Sequence, residues 1–190
     1  MDSSGFRRAR AGVIMAGFDQ IEALLLHHLF GQFVLLLDEG ELSSTAADPL
    51  TAALGLAAST APSDDPALAR LFPDAYREDP SASAEFRRYT EADLRQGKRA
   101  NASSALASLD WSRLKQSRGV ITLDDTQAQA WLRALNDLRL VLGARLETWE
   151  NIKELTSSLS VDNPRLVIVD IYLWLGWLQE TLVEAVGSSV

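Results

Sequence analysis

A chain of 190 residues without a single cysteine can hold no disulfide, no thiolate zinc site and no thiol nucleophile, and a thiol redox switch is excluded with them. The length suits one domain, residues 1–190, with a substantial core, and the lack of cysteine fits a reducing, cytoplasmic setting. A formal net charge of −8 excludes a surface that is basic throughout, so any nucleic-acid contact has to rest on a local patch.

Arg7, Arg8 and Arg10 precede a short apolar stretch, residues 12–18, in the manner of an export signal. Such a signal needs an uninterrupted apolar region and a small-residue cleavage site, and Asp19 and Glu22 cut this one short. The stretch reads instead as an extended segment bounded by glycines. Residues 119–123, Gly-Val-Ile-Thr-Leu, have the same character, so a small two-stranded pairing of 12–18 with 119–123 is expected, with helices packed on it.

Asp19 then caps a first helix running to about Glu39, with Leu24, Leu25, Leu29, Val34, Leu36 and Leu37 in a wide apolar arc and Gly40 as its stop. Glu22, His27, His28 and Gln32 interrupt this run, and Asp170 interrupts the short run at 166–178, so neither is expected to span a membrane. Residues 42–63, rich in Ser, Thr and Ala with Asp48-Pro49 and Ala61-Pro62, read as an internal flexible linker with room for one weak helix over 49–58. Asp65-Pro66 opens a compact helix carrying Leu68 and Leu71, which Pro73 stops in a turn over residues 72–76.

The next helix is long, from Pro80 or Ser81 to about Trp111. Its apolar positions, Phe86, Tyr89, Leu94, Ala105 and Leu109, are sparse, and Gly97 weakens its middle. No Lys or Arg occurs between Arg10 and Arg70, whereas residues 86–118 carry Arg87, Arg88, Arg95, Lys98, Arg99, Arg113, Lys115 and Arg118 against Glu91, Asp93 and Asp110. Arg87, Arg88, Arg95, Lys98 and Arg99 are the candidate residues for gripping DNA phosphates or an acidic protein partner. The plainer reading makes them a solvated face balanced by acidic neighbours in the fold.

Thr122, Asp124 and Asp125 start a further helix whose leucines, 132, 135, 138 and 142, recur on one face. Asn136 and Arg139 share a second face with Gly143, where a neighbouring backbone can come close, and Asp137 is within a turn of Arg133. This polar cluster, Asn136, Asp137 and Arg139, reads chiefly as a structural clamp tying the helix to adjoining turns, with the gripping of a partner's carboxylate as the alternative. A last helix over 164–186 is apolar nearly all round and belongs at the centre of a bundle or in a subunit interface. Trp174, Trp177 and Leu178 are its candidate homodimer contacts. The whole is a mainly α chain, a bundle of about five helices.

Catalytic signals are lacking. His27 and His28 are adjacent and point about 100° apart on a helix, so they do not face one metal, and neither a Gly-x-Ser-x-Gly elbow nor a glycine phosphate loop occurs. No enzyme, metal or cofactor is expected. The basic helix lacks interleaved aromatic residues for single-strand stacking, and no helix-turn-helix signature is present.

Four blocks remain: Asp65-Pro66-Ala67-Leu68-Ala69-Arg70-Leu71-Phe72-Pro73-Asp74-Ala75-Tyr76; the region from Glu85-Phe86-Arg87-Arg88-Tyr89-Thr90 to Asn101; residues 131–146 with Asn136-Asp137-Leu138-Arg139; and Trp174-Leu175-Gly176-Trp177-Leu178-Gln179-Glu180. Together they resemble the actinobacterial domain-of-unknown-function family typified by the oxidative-stress transcriptional regulator AosR, over most of the chain except residues 43–63. The resemblance implies a non-enzymatic cytoplasmic regulator that works through protein contacts, with DNA contact through the basic helix as an option. Genes of the family often neighbour one for a Clp-protease adaptor. The alternative it implies is therefore a helical adaptor or structural homodimer in a proteostasis setting without DNA binding.

Overall fold

A computed structural model describes residues 4–9, 12–38, 65–76, 78–109, 119–146 and 163–188; the segment read as a linker, with its weak helix, lies outside the described residues. The described elements are β1 (Ser4–Arg8), β2 (Ile14–Phe18), α1 (Gln20–Leu37), α2 (Pro66–Leu71), α3 (Pro80–Ser108), β3 (Gly119–Leu123), α4 (Asp125–Leu146) and α5 (Pro164–Gly187). The protein is mainly α, with five helices among the described residues, as its periodicity predicts.

Helix starts follow side-chain chemistry. Asp19 and Glu22 form a reciprocal capping box at α1, each side chain bonding the other's backbone N–H at 2.8 Å. Asp124 and Gln127 do the same for α4. Asp65-Pro66, Asp79-Pro80 and Asn163-Pro164 open α2, α3 and α5, each cap accepting from a backbone N–H in the first turn while proline needs no such bond. Helix α3 ends at Ser108, short of the expected Trp111, where the Leu109 N–H turns back to the Leu106 carbonyl.

The expected pairing of β2 with β3 is present and antiparallel, from Ile14 opposite Leu123 to Phe18 opposite Gly119. A third strand extends it. Strand β1 lies on the free side of β2, giving a three-stranded sheet in the order β1-β2-β3, and Gly12 takes a positive φ of 78° where the chain turns back. The other side of β1 meets α5. The Phe6 N–H donates to Thr181 Oγ1 at 3.1 Å, and the Arg8 guanidinium donates to the Ala185 and Val186 carbonyls, capping the negative end of that helix. An arginine that resembles part of an export signal is thus a helix cap.

Trp131 of α4 is the centre of the core. Its fully buried ring stacks on Phe18 and meets Phe6 and Phe30 edge-on, while its Nε1–H donates to Ser108 Oγ at 2.8 Å. One side chain therefore joins β1, β2, α1, α3 and α4. Leu135, Leu138 and Leu142 are fully buried with it, and Leu132 is partly buried at the edge.

Helix α5 is not surrounded on all sides. Val169, Leu175, Leu178 and Leu182 pack inward, while Val167, Leu173, Trp177 and Val183 are exposed. Helix α1 behaves likewise: Leu29, Leu36 and Leu37 are buried, whereas Ile21 and Leu24 face outward. By length and hydropathy both helices could cross a bilayer, yet 44% of each such window is buried in the fold, so each keeps one face on the core and leaves one apolar face uncovered.

Candidate functional site

Arg87, Arg95, Lys98 and Arg99 of α3 are engaged within the chain. Arg87 pairs with Asp74 at 2.7 Å and reaches Glu91 at 3.5 Å. Arg95 pairs with Glu91 at 2.7 Å, lies 4.7 Å over the Phe72 ring and points one donor at the Leu37 carbonyl. Arg99 pairs with Asp38 at 2.5 Å, and Lys98 with Asp137 at 2.7 Å. Arg88 sits on the same helix, while Arg113, Lys115 and Arg118 lie outside the described residues. Arg95 and Arg99 thereby meet the C-terminal end of α1, which has no basic residue in its own last turn, and offset its carbonyl dipoles. The absence of Lys and Arg from residues 11–69 was the one sequence sign that this helix end would take its cations from elsewhere.

The orientation of α3 also differs from a plain outward basic face. Arg95 and Lys98 have side chains only 15% and 20% exposed, whereas the aromatic positions Phe86 and Tyr89 and the nearby Leu94 are exposed. The charged tips themselves lie over the Phe72 ring, Arg95 Cζ at 4.7 Å and Lys98 Nζ at 5.9 Å, while they also pair with Glu91 and Asp137. Phe86 instead stacks edge-on with Tyr76, at the turn that Ser83 fastens through two backbone hydrogen bonds.

The polar cluster of α4 divides in three directions. Asp137 points into the interface with α3, 4% exposed, and pairs with Lys98 rather than with Arg133 one turn back. Burial pushes its carboxyl above the usual carboxylate range, against the hydrogen bond and charge of Lys98, which pull it down. Arg139 points to α5, donating to Gln179 Oε1 at 2.8 Å and lying 5.1 Å over the Tyr172 ring. Asn136 is exposed at a shallow depression of about 350 Å³ lined also by Lys98, Asn101 and Arg133. Through Asn101 and Arg133 the depression adjoins a second, of about 490 Å³, that ends at Asp125 and Thr126. Asp137 and Arg139 thus link α4 to two other helices, α3 and α5, where turns were expected, while Asn136 faces the depression. A further clamp escaped the sequence reading: Arg145 of α4 pairs at 2.6 Å with Asp65, the buried cap of α2.

The candidate homodimer residues separate as well. Leu178 is fully buried inside the monomer, Trp174 is half-buried, and Trp177 is 36% exposed. Trp174 instead lines an apolar groove of about 460 Å³ between α1 and α5. From α1 the groove takes Ile21, Glu22, Leu24, Leu25 and His28; from α5 it takes Val167, Asp170 and Ile171 as well. The repeat of 21, 24, 25 and 28 was visible in the chain, but an arc apolar nearly all round gives no sign of which side stays open.

Among the described residues no group of three or more His, Asp or Glu side chains is placed to hold a metal ion. The family model described as "Domain of unknown function (DUF2017)" matches residues 3–186. The "Putative oxidative stress regulator AosR" of Mycobacterium leprae is 36% identical over 182 residues, covering 88% of this chain and 80% of that protein. The "Oxidative stress regulator AosR" proteins of Mycobacterium bovis and Mycobacterium tuberculosis are each 34% identical over 182 residues, covering 88% of this chain and 79% of theirs. No solved structure matches.

Proposed function

The chain belongs to the DUF2017 family, and we propose that it is a non-enzymatic regulatory protein of the oxidative-stress response, acting in the cytoplasm through contacts with another protein. The regulatory setting comes from the relatives, which are named as stress regulators. The choice of protein over DNA rests on one observation, the internal pairing of α3. A duplex is held by cations that replace its counterions, and Arg87, Arg95, Lys98 and Arg99 are already held by Asp74, Glu91, Asp137 and Asp38. Releasing them for phosphate would leave carboxylates of the fold unpaired, Asp137 in a buried site. With no cysteine in the chain, an oxidant signal arrives through a partner rather than through a thiol of its own.

Transcript profiles of cells with and without the gene, before and after peroxide, test this reading together with gel retardation of a random-sequence duplex by the purified chain. Peroxide-responsive transcripts should change on deletion and return on complementation, and the duplex should not be retained at low salt. An unchanged profile overturns the regulatory role. Retention that is lost on R87E and R95E replaces the protein-contact mode with a DNA-contact mode.

A further inference from the structure

We propose that the groove between α1 and α5 is the docking site for a single basic amphipathic helix of a partner protein. The inference rests on the protein-contact reading above and names its surface and the chemistry of its occupant.

The walls have the shape such a helix needs. On α1, positions 21, 24, 25 and 28 follow the three- and four-residue steps of one helix face; on α5, positions 167, 170, 171 and 174 do the same. Two helical stripes running side by side, with a gap between them, are completed by a third helix inserting its own stripe. The gap exists because the walls are held from behind by different neighbours: α1 packs mainly on α3, and α5 on α4 and β1. Beyond His28 the α1 face continues through Gly31, above which a Cβ would meet nothing within 4 Å, to the exposed Leu35. The open apolar surface is substantial, with Ile21 72% and Val167 54% exposed.

Charge selects the occupant. The groove carries Glu22 and Asp170 and no Lys or Arg. Glu22 is 2% exposed; its Oε2 accepts the Asp19 N–H in the capping box, and its buried Oε1 has no hydrogen-bond partner. Trp174 Nε1 is likewise buried without an acceptor. Both atoms are closed to solvent, so what a guest meets is the negative charge of the exposed Asp170, with Glu22 beneath the surface and no Lys or Arg in the groove to offset it, and a cation answers that charge best. A second copy of the same face would set acid against acid. The basic helix of a second copy offers no better fit, since Arg87, Lys98 and Arg99 are paired to carboxylates of their own chain. A partner helix with apolar residues at helical spacing flanked by Lys or Arg meets both requirements.

The test uses the full chain and three fluorescently labelled peptides of four helical turns: a Leu/Ile stripe flanked by Lys and Arg, the same stripe flanked by Glu, and a scrambled version of the first. Anisotropy should show saturable binding of the basic amphipathic peptide, at least tenfold weaker binding of the other two, and a tenfold loss with I21K or L24K. Both variants alter exposed side chains, so their unfolding midpoints should match the parent, and E22Q, which keeps the capping bond, should weaken binding without unfolding α1. Absence of saturable binding, equal affinity for the acidic peptide, or indifference to I21K and L24K overturns the proposal. So does self-association abolished by L24K, which makes a second copy the occupant, or capture by anionic vesicles in place of the peptide. In cells, I21K should reproduce the deletion phenotype. A normal peroxide response with I21K rejects the groove and leaves the regulatory role standing, whereas a deletion without effect rejects the role itself.

Discussion

The guanidinium of Arg139 lies across the backbone of Gly176, with its Cζ 3.5 Å from where a Cβ on that glycine would stand. This contact brings α4 against α5 and lets Arg139 reach Gln179 and Tyr172 on the same helix. The spacing is ordinary van der Waals contact, so G176A should fit and, by its better helix propensity, leave stability unchanged or raised by up to about 1 kcal/mol. Branching at the next atom enters the space of the guanidinium. G176V should cost about 1–3 kcal/mol through overpacking, and much of that loss should disappear in the R139A background. Urea unfolding of the four chains measures the coupling.

Gly5 has less room. A Cβ there would stand 2.7 Å from both Cγ2 and Oγ1 of Thr181. Thr181 cannot turn away freely, because its hydroxyl accepts from the Phe6 N–H and donates to the Leu178 carbonyl. G5A should therefore lift β1 from α5 and cost about 1–3 kcal/mol. Amide exchange at Phe6 and Arg8 should accelerate in G5A, and T181A should restore part of the lost stability. Unaltered exchange would show that β1 tolerates the displacement.

These two contacts mark where the chain was readable and where it was not. Leu135, Leu138 and Leu142 announced a buried face of α4 by local spacing, and the β-branched residues beside glycine announced the β2–β3 pair. Strand β1 gave no such sign: Arg7 and Arg8 break its apolar pattern, and its helix partner Thr181 lies 175 residues from Phe6. The basic helix was legible as a charge cluster, but the acids that occupy it were not. Asp38 lies 61 residues from Arg99 and Asp137 39 from Lys98, and periodicity carries no information about such pairings. The open side of α1 was hidden for a related reason, since burial of one apolar stripe over another depends on which distant helices pack at its back, here mainly α3.

Asp65 serves two partners at once. Its Oδ1 accepts the Ala67 N–H at 2.8 Å as the cap of α2, and its Oδ2 meets Arg145 at 2.6 Å. D65N keeps an oxygen for the cap but turns an amide donor toward the guanidinium, so only the second contact is lost. D65A loses both and should be less stable than D65N by about 1 kcal/mol, the worth of a cap. Because α2 packs chiefly on α4, the damage should be local. Amide exchange should rise in α2 before it rises in α4, and equal stabilities of the two variants would show that the cap contributes little.

Lys98 and Asp137 make a pH-sensitive pair. Burial raises the Asp137 carboxyl above its ordinary value of 3.8, and the Lys98 hydrogen bond and charge oppose that rise. A carboxyl raised in the folded state keeps its proton where the unfolded chain has lost it. Its contribution to stability therefore falls as pH climbs from 3.8 through the folded value, and is constant above it. K98M keeps a side chain of similar length but removes both opposing influences, which moves the upper end of that window higher. At neutral pH it should cost about 3 kcal/mol, because a buried carboxylate is left without its cation. The deficit should shrink steadily on acidification as Asp137 takes up its proton. D137N, which cannot titrate, should show a flatter profile, and its loss at neutral pH should be smaller than that of K98M, since Lys98, with a side chain 20% exposed, can turn to water. A deficit in K98M that is independent of pH would overturn the electrostatic role given to Lys98.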